Sequence, residues 1–165
     1  MISDGKNTYL LSGYNHDIIE AEKQCYEWFK DQPKDHVRDV ARSGASVRDK
    51  CLAIFTHLVE NVRYELDPEG TQMIKSPARI LEDGCGDCKS LTMYLCCCLH
   101  CLGIGHKFRF VNFDGDDQYT HVYAVAIDEN GNEIIMDACE KDNAGYTLFD
   151  YARPYAKKLD VVYNG

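Results

Sequence analysis

Residues 83–91, Asp-Gly-Cys-Gly-Asp-Cys-Lys-Ser-Leu, place two cysteines three positions apart, just ahead of a run with helical character. Three chemistries fit such a pair: half of a thiolate metal site, a redox-active C-x-x-C, or a nucleophile in the first turn of a helix. For metal, Cys85, Cys88, Cys98 and Cys101 spell C-x2-C-x9-C-x2-C, which resembles zinc-site spacing. Zinc ribbons hold each cysteine pair in a tight turn, whereas Cys98 and Cys101 fall inside a Leu-rich run, residues 90–103. There, apolar residues at 91, 95, 98, 99 and 102 make an inward stripe, with Cys98 a small hydrophobe. A zinc-binding interaction module stays a rival on spacing alone. A thioredoxin-like redox pair follows a strand, and no clear strand precedes Cys85.

For a nucleophile, Asp87 is placed to cap the helix and leave Cys88 in its first turn. The half positive charge at a helix N-terminus favours a thiolate, the form that attacks. Glycines at 84 and 86 are expected to let a substrate backbone come close. Such a cysteine needs a base and something to orient it. The chain has six histidines. His16, His36 and His57 sit on or near polar helical positions and are expected to be solvated. His100 and His106 flank the wrong end of the Cys88 helix, with His100 about 18 Å along its axis. That leaves His121, in the strand-like stretch Tyr-Thr-His-Val-Tyr-Ala-Val-Ala-Ile (119–127).

Strand parity then tests Asp137. His121 shares a face with Tyr119, Tyr123 and Val125, and Asp137 shares one with Ile135 and Cys139. A two-residue Asn130-Gly131 turn would put His121 and Asp137 on opposite faces. A three-residue loop, Glu129-Asn130-Gly131 with Gly131 left-handed, pairs Asp128 with Asn132 and makes His121 the diagonal neighbour of Asp137. A nucleophile thus requires an odd loop. The plainer reading of Asp137 is a strand-end residue facing water.

The elements that must position these residues follow from periodicity and punctuation. Residues 15–32 read as an amphipathic helix stopped at Pro33. A second helix starts at Ser46 and buries Val47, Cys51, Ile54, Phe55, Leu58 and Val62. Residues 65–87 look irregular. Residues 88–102 are helical, with Gly103 ending them. Stretches 107–113, 119–127 and 133–139 are rich in β-branched and aromatic residues, separated by turn-like residues 114–118 and 128–132, which suggests an antiparallel sheet. The acidic turn Asp114-Gly-Asp-Asp117 is expected to be solvated. The Tyr-rich tail (Tyr146, Tyr151, Tyr155, Tyr163) is expected to pack back as half-buried cover. Helices first and sheet second give an α+β fold. The expected layout is one domain over 1–165, with a helical part to about 105, a sheet part over about 106–140, and the tail.

Composition narrows the classes. The 165 residues are 45% hydrophobic and 27% charged with net charge −9, which argues against nucleic acid as a partner. No stretch reaches the roughly 18 apolar residues of a membrane span, and the N-terminus lacks a signal-peptide layout. Nine cysteines, three of them consecutive at 96–98, suit free buried thiols in a reducing, cytoplasmic compartment rather than disulfides.

The stretch from Ser76 through Ile104, with Gly-Asp-Cys-Lys at 86–89, followed by Thr-His-Val-Tyr-Ala-Val-Ala-Ile and Ile-Ile-Met-Asp-Ala, resembles the transglutaminase-like superfamily. The resemblance runs over roughly residues 46–140, and the segment Val62 to Gly70 is similar to the family's Tyr-containing stretch. It implies a papain-like fold, with the nucleophile at the N-terminus of a central helix packed on an antiparallel sheet. It also implies Cys88 as nucleophile, His121 as base, Asp137 as orienting acid, and acyl transfer from an amide through a thioester, with a protein or peptide substrate and no metal or cofactor. His121-Val122-Tyr123 stands where many relatives carry His-Ala-Trp, and the Pro-Thr common after the acid is missing. A chain of this length leaves little room for a second-substrate domain, so a peptidase-type hydrolase is expected over a protein-glutamine cross-linking enzyme. A catalytically inactive structural domain is a further alternative. The Cys88 backbone N–H and, as a side-chain donor, Gln72 are candidates for an oxyanion hole, although Gln72 reads more simply as an exposed loop residue.

Overall fold

The computed structural model describes residues 8–11 and 15–165, with side chains from residue 17 onward. Thr8–Leu11 forms β1 and Asn15–Phe29 forms α1, which stops short of the expected Gln32. Ala21, Cys25, Tyr26 and Phe29 make its buried stripe. The polar stretch after it holds a helix that its composition conceals: α2, Lys34–Val40, which buries only Val37. The next helix, α3 (Val47–Asn61), starts where the cap signal places it, with the Ser46 hydroxyl accepting from the Asp49 N–H at 3.1 Å. Cys51, Ile54, Phe55 and Leu58 face inward as the period requires, and Val47 is partly buried.

Residues 65–87 are not irregular. Arg63–Tyr64 (β2), Gln72–Lys75 (β3), Pro77–Asp83 (α4) and Cys85–Gly86 (β4) occupy most of 63–87, so strands lie inside the part expected to be helical. Ser76 caps α4 by accepting from the Arg79 N–H, Pro77 opens it, and Gly84 closes it at φ 68°. A helix of two turns is too short for periodicity to reveal. Antiparallel pairing of β1 with β3, and parallel pairing of β2 with β4, tie this region together.

Cys88–Cys101 forms α5, and every residue from Lys89 to Leu99 is buried. A helix apolar on all sides is a core helix. The other four helices and the sheet pack around it, so the stripe expected at 91, 95, 98, 99 and 102 is one part of a wholly buried surface. The three consecutive cysteines are fully buried, and all nine cysteines are free thiols, as expected.

The sheet is antiparallel in the order β7-β6-β5-β8, from β5 (His106–Asn112), β6 (His121–Ile127), β7 (Glu133–Met136) and β8 (Lys157–Tyr163). Phe108, Phe110, Val122, Ala124, Ile134 and Met136 join the core around α5, and the opposite parity gathers Val111, Tyr123, Val125 and Ile135. The tail packs back as β8, with Tyr163 stacked on Tyr26 at 4.1 Å between ring centroids. Tyr146, at 70% exposure, is not the half-buried cover expected of it.

Candidate active site

The local sequence 84–88 builds the first turn of α5. Asp87 is its N-cap, with the carboxylate accepting from the Lys89 N–H at 3.0 Å, and Cys88 is the first helical residue. The Lys89 ammonium folds back onto the Asp87 carboxylate and lies 3.3 Å from Asp67. All three side chains are nearly buried. Burial pushes Asp87 up to about 6 against the pull of Lys89, and Asp67 adds to the rise. Asp67 also accepts from the Met73 N–H at 2.7 Å, so this ion cluster ties β3 to the start of α5.

The two glycines before Cys88 have structural roles rather than the expected one of admitting substrate. Gly84 is the left-handed cap of α4. A Cβ on Gly86 would lie 2.9 Å from Ile80 Cδ1 and 3.2 Å from Ser90 Cβ, so helix packing excludes a side chain there.

His121 opens β6, and Asp137 follows the last residue of β7. The loop between the strands has three residues: the Asp128 N–H donates to Asn132 O at 2.9 Å, and Gly131 is left-handed at φ 81°. The register that follows, Ala124 with Met136 and Val125 with Ile135, puts Asp137 on the parity of His121. Nε2 of His121 is 2.7 Å from Oδ2 of Asp137, and Cys88 lines the same cavity as the ring, close enough to act on its charge. Asp137 does not point at water: it is 3% exposed, and its Oδ1 accepts from the Cys139 N–H at 3.0 Å. Burial works against a charged His121, but the hydrogen bonds and attractions of Asp137 and Cys88 outweigh it and lift the imidazole to about 10.

Cys88 and His121 open onto a cavity of about 390 Å³, lined also by Ile18, Gln72, Lys89, Phe110, Gln118, Tyr119, Thr120 and Val122. Gln72 is therefore not an exposed loop residue. It sits half-buried on β3, and that strand is pinned by Asp67 and by pairing with β1. The remaining expectations sort as follows. Cys88 and Cys98 are ten positions apart on one helix, about 15 Å along its axis, so the four-cysteine zinc site cannot form. His36 is not freely solvated, because its Nε2 meets the Tyr94 hydroxyl at 2.7 Å. His100 pairs with Asp31 and buried His106 with Tyr26. The side chain of His16 lies outside the described residues.

Sequence reasoning missed three groups near the site. One is the Asp67–Lys89–Asp87 cluster, of which only Asp87 carried a capping signal. The second is Cys139, which shares a strand face with Asp137 but carries no motif of its own. The third is Glu22 of α1, 1% exposed, whose carboxyl oxygens have no hydrogen-bond partner among the described residues. Burial holds that acid well above the carboxylate range, against the attraction of Lys89.

Chemically, a thiol at a helix N-terminus, sharing a cavity with an imidazole that a buried carboxylate orients, has the groups for nucleophilic attack with proton transfer. A sequence model of the Transglutaminase-like superfamily matches residues 34–138, more than half of the chain. No curated protein matches the sequence. Among solved structures, a putative cysteine protease from Cytophaga hutchinsonii is similar over 81% of this chain and 51% of its own, with a TM-score of 0.54 and 16% identity. A putative protease from Parabacteroides distasonis is similar over 73% of this chain and 26% of its own, with a TM-score of 0.62 and 13% identity. The chain thus spans half the length of the first and a quarter of the second. At these identities the likeness is one of fold, and it matches the expected papain-like arrangement of a central helix on an antiparallel sheet. No described helix is long and apolar enough to cross a membrane.

Proposed function

We propose that this chain, which belongs to the transglutaminase-like superfamily, is a cysteine-dependent enzyme that cleaves amide bonds of proteins or peptides through a thioester. The observation that carries this reading is the meeting of Cys88 and His121 on one cavity, with Asp137 holding the far side of the ring at 2.7 Å. Cys88 and His121 act as a thiolate–imidazolium pair, the proton from sulfur already resting on the ring nitrogen facing it, Nδ1, and the sulfur attacks the amide carbonyl carbon. Charge collecting on the carbonyl oxygen is met by the Cys88 backbone N–H and by the Gln72 side-chain amide, which we assign as the oxyanion donors. As the carbon–nitrogen bond breaks, His121 returns its proton to the departing amine and a thioester remains. Water, giving a proton to His121, attacks the thioester, and the acid product leaves as the thiolate–imidazolium pair is restored. Asp137 holds Nε2 throughout and keeps the ring aimed at Cys88. Water is taken as the acceptor, in keeping with the protease names of both structural neighbours.

The test is a broad screen of amides and peptides against the wild type and Cys88→Ala, with products identified by mass. Turnover that disappears in Cys88→Ala supports the reading, and a product joined to an added amine would replace hydrolysis by amine transfer. Iodoacetamide labelling with mass mapping supplies the counter-test. If Cys88 reacts no faster at neutral pH than an exposed model thiol, the activated-nucleophile reading fails.

A further inference from the structure

Asp137 has a neighbour that the acyl-transfer steps leave idle. Cys139 is partly buried, and its sulfur, a ring nitrogen of His121 and a carboxylate oxygen of Asp137 all lie within 4.8 Å of one another. The ring nitrogen that meets Asp137 is Nε2, 2.7 Å away, so this cluster lies on the side of the imidazole turned from Cys88. One nitrogen, one oxygen and one sulfur make a donor set suited to Zn²⁺, which takes four ligands in a tetrahedron. Bonds of about 2.0–2.3 Å put such ligands roughly 3.3–3.7 Å apart. The imidazole and carboxylate must therefore part by about 0.6 Å and the sulfur close in by about 1 Å at most, within the reach of side-chain rotation.

Charge favours the same occupant. One carboxylate, one thiolate and a neutral imidazole around Zn²⁺ sum to zero, which suits a pocket where Asp137 is 3% exposed. The Cys139 N–H, 3.0 Å from Oδ1 of Asp137, already fixes that carboxylate, as outer hydrogen bonds do for metal ligands.

We infer that His121, Asp137 and Cys139 form a Zn²⁺ site whose filling shuts off acyl transfer from behind the imidazole. The shut-off half of this inference rests on the function proposed above. On binding, the Cys139 thiol and Nε2 of the cationic His121 each release a proton to solvent, and the sulfur bonds the ion. The Asp137–Nε2 hydrogen bond is exchanged for one bond from each group to zinc, water fills the fourth position, and no electrons move. An imidazole bound to zinc through Nε2 is neutral with its one proton on Nδ1, so no imidazolium forms to hold the proton that Cys88 must give up. The Cys88 sulfur is not a ligand, which distinguishes this site from an ion held between nucleophile and base.

Zinc chloride titrated calorimetrically into the chelator-stripped chain tests it, using wild type, Cys139→Ser and Cys88→Ser, with circular dichroism checking that each variant is folded. The expected result is about one ion per wild-type chain, with affinity about tenfold or more lower in Cys139→Ser and within about twofold of wild type in Cys88→Ser. Zinc-loaded wild type should lose amide turnover while Cys88 remains open to iodoacetamide. Unchanged affinity in Cys139→Ser, a large loss in Cys88→Ser, or protection of Cys88 from the label each overturn the site. If no sample turns over any amide, the zinc stoichiometry and the Cys139→Ser comparison still decide the site, and only the proposed function falls.

Discussion

Nε2 of His121 meets Oδ2 of Asp137 at 2.7 Å across a hairpin, and Cys88 adds its own attraction to the same ring. In metal-free protein this geometry keeps His121 cationic far above its ordinary range, up to about 10 from 6.5. Burial alone would do the reverse. Because the folded value is raised, the stabilisation from this pair is fully present below pH 6.5 and fades as pH rises through about 10. NMR titration of the ring Cε1–H should show a midpoint near 10 in the wild type. In Asp137→Asn the midpoint should fall by several units, because burial remains and the carboxylate charge is gone. A midpoint that stays near 10 in the variant would remove Asp137 from its orienting role. Turnover of Asp137→Asn should drop by about 100-fold or more.

Among the described residues, Lys89 is the lone cation between two nearly buried carboxylates, Asp87 and Asp67. Lys89→Met keeps most of the side-chain volume and leaves those acids facing each other, so we predict a loss of about 3–5 kcal/mol at neutral pH. Urea melts read this directly. Asp87 already titrates near 6 through burial, and without Lys89 it should rise further. A carboxyl whose folded value exceeds its unfolded one weakens the fold above that value and ceases to do so as pH falls toward its ordinary range. The deficit of Lys89→Met should therefore shrink on acidification from pH 7 to 4. A deficit independent of pH would mean that the ammonium contributes packing alone.

The contact between His121 and Asp137 was legible in the sequence because strand parity is binary: the loop from Asp128 to Asn132 is either odd or even, and Gly131 permits the odd form. Ser46, Asp87 and Gly103 were legible because caps depend on one or two residues. What stayed hidden was set by distant partners or by elements too short for a period. Gln72 reads as a loop residue until β3 finds β1, some sixty positions earlier. The short helix α2 shows one buried residue, Val37, and no pattern can be read from one residue. The zinc-like spacing misled for the opposite reason, since it is defined along the chain, whereas Cys88 and Cys98 are held about 15 Å apart by the helix they share.

Gly86 offers a packing test next to the nucleophile. A methyl group there collides with Ile80 Cδ1 at 2.9 Å and presses on Ile80 Cγ1 and Ser90 Cβ at 3.2 Å. Gly86→Ala should cost about 1–3 kcal/mol. Ile80→Val removes Cδ1, so the same substitution should cost distinctly less in that background, a coupling of about 0.5 kcal/mol or more. Additive losses in a double-mutant cycle followed by chemical denaturation would show that the strain lies elsewhere in β4.

The β6–β7 loop separates backbone strain from register. Gly131 is at φ 81°, and nothing lies within 4 Å of the Cβ that a substitution would add. Gly131→Ala should therefore cost only the left-handed penalty, about 1–2 kcal/mol, and Gly131→Asn less, because Asn tolerates that region. The register is untouched in both, so turnover per folded molecule should match the wild type. Deleting Asn130 is different in kind. It makes the loop even and moves every residue of β7 to the other face, so that Ile134 and Met136, both buried in the core, give way to Glu133, Ile135 and Asp137. That exchange cannot be absorbed by a loop. The deletion should abolish cooperative folding in urea and thermal melts, or force the loop to recruit a strand residue and restore the odd count at the expense of a β6–β7 pair. Hydrogen exchange across 124–136 tells these outcomes apart. A deletion variant that folds with native protection at Val125 and Ile135 and keeps the raised His121 titration would show that loop parity does not set the His121–Asp137 contact.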